Sequence, residues 1–119
     1  MRNNITIQKD GIAISVSVLV FRDNSGVYIV YCPSLDLSGY DNTESTAKDN
    51  FSYVLKEWIK EQTANGTLEK DLTSHGWTVK GEESSEPQLS EIIKRNANVA
   101  RVVSMPEYKK TNIQARVYC

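Results

Sequence analysis

The chain has 119 residues, of which 14 are lysine or arginine, 15 are aspartate or glutamate and 39% are hydrophobic. That length suits one domain, or one domain with an appendage, and allows a core without metal or disulfide staples. A net charge of −1 excludes a generally basic nucleic-acid coat protein and a disordered acidic chain. The apolar runs, such as Val18 to Phe21, are far too short to cross a bilayer.

The start of the chain leads into no hydrophobic segment like that of a signal peptide, so we expect a cytoplasmic protein with no membrane contact. Cys32 and Cys119 fit that compartment, because they form neither a CxxC pair nor a Cys/His set with zinc spacing. We therefore expect no metal and no cofactor, and the sequence does not predict a disulfide between the two cysteines.

Strand patterns fill the first third of the chain. Residues 5–7 alternate in polarity and lead to the turn signal Asp10-Gly11. The next segment, residues 12–20, places an apolar residue at every second position, which predicts a strand with one buried face. The residues of that face are Ile12, Ile14, Val16, Val18 and Val20. Residues 27–32 form a second strand pattern that Pro33 ends, and a short strand at residues 37–41 completes an expected antiparallel meander.

The clearest helix follows this meander. Thr43 can cap its first turn, and Asn65-Gly66 is a typical C-terminal stop. Its apolar residues recur at helical spacing and predict one face packed on the sheet. These residues are Ala47, Phe51, Val54, Leu55, Trp58 and Ile59.

The second half of the chain is less regular. A short helix near Leu68 and Leu72 and a brief strand at residues 77–79 precede a polar, linker-like run at residues 81–86. Pro87 suits a first helical position, and Leu89, Ile92 and Ile93 share one helical face. Residues 98–105 are ambiguous between helix and strand, Pro106 can open another helical turn, and Ile113, Ala115 and Val117 alternate as a last strand.

The predicted fold is therefore α+β, with an antiparallel sheet of three to four strands and one long amphipathic helix packed on it. We assign residues 1–80 to this α+β domain. Residues 81–119 form a helical and strand extension that is either separate or part of the same domain.

Catalytic patterns are weak. The sequence has no phosphate-binding glycine loop, and its only histidine, His75, has no cysteine or serine motif beside it. A two-metal nuclease would need several converging carboxylates, but each acid near the strands already has a turn, helix-start or polar-face explanation. These acids are Asp23, Asp36, Asp41, Glu44 and Asp49. We expect no enzyme, and a metal-dependent nuclease is the least favoured alternative.

Charge is uneven along the chain. Residues 1–86 carry 8 basic and 13 acidic side chains, whereas residues 87–119 carry 6 basic and 2 acidic ones. Such asymmetry can mark a nucleic-acid contact, so a DNA-binding regulator is the alternative function. The candidate contact residues are Lys94, Arg95, Lys109 and Lys110. The competing interpretation is that these cations only solvate helix faces and ends.

Two segments resemble the HicB family of antitoxins. Tyr31-Cys32-Pro33-Ser34-Leu35 is similar to the end of a family strand, and Asp41-Asn42-Thr43-Glu44 through Ala47 is similar to the turn and helix start that follow, with one inserted position. The resemblance covers about residues 12–62, roughly half of the chain.

The resemblance implies a partial ribonuclease-H-like fold without the nuclease carboxylates. It also implies a non-enzymatic protein-binding module, antitoxin-like or regulatory, whose partner is a small ribonuclease toxin. Candidate partner-binding residues are Tyr31, Pro33, Leu35 and Tyr40. Many members add a DNA-binding domain at the C-terminus, but residues 87–119 read as helix, ambiguous segment and strand. That order does not match ribbon-helix-helix, and Pro106 would cut short the second helix of a helix-turn-helix.

We also expect self-association as a homodimer, because a small open sheet leaves strand edges that invite pairing. The first long strand and the strand at Ile113–Tyr118 are the candidate seams. The competing interpretation is that the last strand pairs within its own subunit and leaves no free edge.

Overall fold

The computed structural model describes residues 3–104 and 107–118. This part of the chain forms an α+β fold with a seven-stranded sheet, in which all strand pairings are antiparallel, and four helices. The strands are β1 (Asn4–Gln8), β2 (Gly11–Arg22), β3 (Tyr28–Cys32), β4 (Leu37–Asp41), β5 (Thr78–Lys80), β6 (Glu83–Ser85) and β7 (Lys109–Tyr118). The helices are α1 (Glu44–Asn65), α2 (Leu68–Ser74), α3 (Leu89–Arg95) and α4 (Ala97–Val103).

The long strand β2 organises the sheet. Along one edge it pairs with β7 from Gly11 opposite Tyr118 to Val20 opposite Lys109. Along its other edge β1 pairs with residues 11–14 and β3 pairs with residues 19–22. β4 continues the sheet beyond β3, and β6 and β5 continue it beyond β1. In the described part of the chain, residues 15–18 therefore have no strand partner on that second edge.

Helix α1 packs on one sheet face, as its sequence pattern predicts. The Thr43 hydroxyl accepts the Thr46 N–H at 3.1 Å, and Gly66 ends the helix in the left-handed conformation with a φ of 67°. Its buried stripe consists of Ala47, Phe51, Leu55 and Ile59. These side chains cover the face of β2 that carries its alternating isoleucines and valines.

Trp58 differs from the expectation that it belongs to the fully buried stripe. It is half-buried and packs against the margin of the core. The reason is its position on α1, one residue before the buried Ile59 and three after Leu55, which turns the ring towards the side of the stripe.

A second layer covers part of the opposite sheet face. Leu19 points away from α1, where it packs with Ile92 of α3 and Val99 of α4 in a separate buried cluster. The ambiguous segment is thus helical over Ala97–Val103. The turn expected at Pro106 lies outside the described residues.

The predicted α+β class and long helix are confirmed, but the sheet has seven strands rather than three or four. The run expected to be a linker is one source of the difference, because Gly81 forms a turn with a φ of 62° and Glu83–Ser85 returns as β6 to pair with β1. The border placed between residues 80 and 81 therefore falls inside a hairpin. Within the described ranges, no helix has the length and apolar character needed to cross a membrane.

Candidate functional site

Three side chains form an apolar row across β2, β3 and β4 on the sheet face opposite α1. Phe21 lies opposite Ile29, and Ile29 lies opposite Tyr40. Directly opposed side chains of an antiparallel sheet are close enough to contact one another. Phe21 and Ile29 are half-buried, and Tyr40 is 69% exposed. We call these three residues the cross-strand row.

The row lies beside the cluster formed by α3, α4 and the sheet. Tyr31 is on the same face of β3 as Ile29, and it packs half-buried against that cluster. The flank also includes half-buried Val102, Val103 and Tyr108. Phe21 and Ile29 belong to neither buried cluster, so their exposed parts face solvent. The result is an apolar surface with an aromatic residue at the edge strand.

Tyr31 and Asp36 join the row to the turn after β3. The Tyr31 hydroxyl donates to Asp36 Oδ1 at 2.9 Å. Burial raises the pKa of the Tyr31 hydroxyl well above its usual range, and the adjacent Asp36 carboxylate raises it further. Asp36 has a φ of 56°, and its N–H donates to the Cys32 carbonyl at 2.9 Å, which closes the turn. The tyrosine is therefore a neutral, oriented donor at this surface.

The rest of the motif that carries the family resemblance faces inward. Pro33 and Leu35 are buried, as are Cys32 and Ser34. The Ser34 carbonyl accepts the indole N–H of the buried Trp77 at 2.8 Å. In this structure Pro33 and Leu35 build the turn, and of the four candidate partner-binding residues only Tyr31 and Tyr40 reach the surface.

A buried carboxylate occupies the interval between β1 and β3. Glu86 is 6% exposed, and its carboxylate accepts the Ser17 N–H at 3.1 Å and the Ser34 hydroxyl at 2.6 Å. Asn3 completes the group, since its side chain donates to Glu86 Oε1 at 3.1 Å and its carbonyl accepts the Glu86 N–H at 3.0 Å. Glu86 thus accepts a backbone N–H of β2 on the edge where neither β1 nor β3 pairs with that strand.

Cys32 lies next to this polar group. Its sulfur is 3.4 Å from the Ser34 hydroxyl, and its side chain is fully buried. Burial raises the pKa of the Cys32 thiol to about 12, and the Glu86 charge adds to the rise. A protonated, inaccessible thiol is a packing group and not a nucleophile.

The four basic candidates are dispersed. Lys109 forms an ion pair with Glu44 at 2.6 Å, and the Arg95 guanidinium lies against the backbone at Gly76, where any Cβ would collide with it. Lys94 is exposed at the end of α3, and Lys110 is exposed at the start of β7. Two of the four cations are therefore used within the fold.

The acidic candidates also have local partners. Asp41 holds the Asn50 amide at 3.2 Å, and Asp23 accepts the Ser25 hydroxyl at 2.6 Å, which lowers the pKa of the Asp23 carboxyl. His75 Nδ1 lies 2.8 Å from the Asp71 carbonyl, at the end of α2. Among residues 3–104 and 107–118, no group of three histidine, cysteine, aspartate or glutamate side chains is arranged to hold a metal ion.

Comparisons of this chain with protein-family models, with curated proteins and with solved structures gave no match.

Sequence reasoning missed Phe21, Ile29 and Glu86. The sequence does contain a signal for Phe21. On the second face of β2, the polar residues Ser15 and Ser17 are followed by the apolar residues Leu19 and Phe21. Glu86 had no such signal, because it ends a polar run and becomes buried only through partners far away in the sequence.

Proposed function

We propose that this chain is a non-enzymatic, HicB-like protein-binding module that acts as an antitoxin-like or regulatory protein in the cytoplasm. The observation that carries the proposal is the cross-strand row, which exposes Tyr40 beside half-buried Ile29 and Phe21. Aromatic residues within an apolar, partly solvated patch are the usual anchors of protein–protein contacts.

The surroundings of the row support a protein partner. Asp36 places a carboxylate and the Tyr31 hydroxyl at the apolar border, which suits a rim that bonds to a basic partner. The small ribonuclease toxin implied by the family resemblance would contact the Asp36 carboxylate and the Tyr31 hydroxyl through cationic side chains. The contact would exclude water from Tyr40 and Ile29.

The hydrogen bonds that the candidate acids make within the fold support the non-enzymatic part of the proposal. Asp36 holds Tyr31, and Asp41 holds Asn50, so each carboxylate has a structural task. Cys32 and Glu86 are buried among hydrogen-bond partners.

Co-expression tests the proposal directly. Each small reading frame adjacent to this gene is induced in a bacterial host with and without this chain, and growth is followed. We expect one such neighbour alone to arrest growth, this chain to restore it, and Tyr40→Asp to lose the rescue. Tyr53→Asp is the matched control, because Tyr53 is 67% exposed on α1 and lies outside the row.

The controls separate the outcomes. If Tyr40→Asp rescued growth as well as the unmodified chain does, the cross-strand row would not be part of the contact. The absence of any adjacent reading frame whose product arrests growth and binds this chain would overturn the antitoxin-like role.

A further inference from the structure

The outer edge of β7 is the longest strand edge that the described residues leave unpaired. β7 spans ten residues, and among residues 3–104 and 107–118 its only strand partner is β2. The other two outer edges belong to β4, with five residues, and β5, with three. The Tyr40 carbonyl of β4 also accepts the Asn50 side chain at 2.8 Å. β7 therefore offers the largest set of backbone groups to an added strand.

The alternation of hydrogen-bonded and non-bonded pairs between β2 and β7 shows which residues of β7 direct their backbone groups to the free edge. The Ser17 N–H points to Glu86, on the edge of β2 away from β7. Because antiparallel residues alternate between bonded and non-bonded pairs, Ser17 and its partner Asn112 form a non-bonded pair. The even-numbered residues of β7 thus direct their N–H and C=O groups to the free edge, and the odd-numbered residues bond to β2.

Charge on this edge is already largely neutralised within the subunit. Lys109 is paired with Glu44 at 2.6 Å, and Arg116 is paired with Asp10 at 3.0 Å. Charged side chains normally protect an edge from pairing, so this neutralisation weakens the protection. In the described part of the chain, Lys110 makes no ion pair.

We propose that β7 pairs antiparallel with β7 of a second copy of this chain, with Gln114 on the two-fold axis. With a two-fold axis normal to the sheet, the even-numbered residues of β7 must lie opposite even-numbered residues of the second copy, because these are the residues whose backbone groups point outward. Only then do the two sheets join into one sheet with continuous faces. An axis at Ile113 would place Lys110 opposite Arg116, which is repulsive. An axis at Gln114 instead places Lys110 opposite Tyr118 and Asn112 opposite Arg116.

That register suits the side chains at the edge. Tyr118 is 70% exposed, and the Arg116 guanidinium lies 5.3 Å from its ring centre. The second copy would bring Lys110 to the same ring, so that an unpaired cation meets an exposed aromatic face. The contact uses the backbone of β7 and not the cross-strand row, so it is independent of the proposed function.

The first test is sedimentation of the full chain under reducing conditions at micromolar concentration. We expect a dimer for the unmodified chain and for Gln114→Ala, and a monomer for Gln114→Pro with an unchanged circular dichroism spectrum. Proline at 114 removes an N–H that points outward and leaves the ladder to β2 intact. An unmodified chain that is monomeric, or a folded Gln114→Pro that stays dimeric, would overturn the proposal.

The second test reads the register and does not depend on whether the proline variant folds. Tyr118→Lys would oppose two cations at both ends of the contact and should raise the dimer Kd about tenfold. Adding Lys110→Glu to that variant should return the Kd to the original range. Equal Kd values for all three chains would contradict the Gln114 axis.

Discussion

The Glu86 carboxylate accepts the backbone N–H of Ser17 at 3.1 Å on the edge of β2 between β1 and β3, opposite the edge that pairs with β7. The two residues are 69 positions apart, so the bond fixes the segment after β6 to the middle of the sheet. A buried side chain here performs the task of a missing strand partner.

Removal of this carboxylate should therefore destabilise the fold. Glu86→Ala leaves the Ser17 N–H and the Ser34 hydroxyl without their acceptor and should cost about 3 kcal/mol of unfolding free energy. Chemical denaturation measures the loss, and Glu82→Ala, at an exposed acid in the preceding turn, is the control. Equal stability of the two variants would show that Glu86 is not a structural acceptor.

Phe51 and Trp58 of α1 are buried to different extents, so replacing each with alanine should lower the unfolding free energy by different amounts. Phe51 is fully buried, so Phe51→Ala should lower the unfolding free energy by about 3–5 kcal/mol. Trp58 is only half-buried, so Trp58→Ala should cost less, about 1–2 kcal/mol. Urea titrations compare the two, and a larger loss for Trp58→Ala would contradict the orientation of the helix.

Glu44 should contribute a pH-dependent stability. Lys109 and then Lys48 lower the pKa of the Glu44 carboxyl in the folded chain. Its contribution is therefore present above the pKa of the unfolded chain and is lost as the pH falls through the lower folded pKa. At pH 7, Glu44→Gln should cost at most about 1 kcal/mol, because the pair is solvated.

Thermal scans across the acid range test this dependence. The Tm difference between Glu44→Gln and the unmodified chain should disappear at low pH and shrink in high salt. Asp49→Asn, on the exposed side of the same helix, is the control for the removal of one negative charge. A difference that grows on acidification would contradict the sign of the pKa shift.

The purified chain should leave RNA intact in the presence of magnesium or manganese. The expectation follows from Asp36 and Asp41, whose carboxylates are engaged by Tyr31 and Asn50. Gel analysis of a labelled RNA measures the result. Cleavage that copurifies with the chain and is abolished by Asp36→Asn would overturn the non-enzymatic proposal.

The sequence predicts correctly those elements that are determined by residues within the element or next to it. The alternation from Ile12 to Val20 sets β2, and the Thr43 cap and Gly66 stop set α1 within a residue or two. The misses arise from distant contacts. β6 is a strand because β1, about 80 positions earlier, offers an edge to Glu83–Ser85, and nothing within residues 81–86 encodes that partner.

The candidate site was predictable only in part for the same reason. Tyr31 and Tyr40 were identified from their position in the motif, and both reach the surface. Leu35 was identified by the same reasoning, yet it is 2% exposed, because the turn folds it into the core. Ile29 joins the site only through its register with Tyr40, which depends on the pairing of β3 with β4.

Binding between this chain and a small toxin-like protein encoded by an adjacent reading frame tests the central claim most directly. Calorimetric titration should show a complex for the unmodified chain and for Tyr53→Asp, and a Kd at least about 30-fold weaker for Tyr40→Asp, as expected when an interface anchor is lost. The same titration with Ile29→Asp should give a similar loss. Undiminished affinity for both row variants, or no binding by the unmodified chain, would contradict the account.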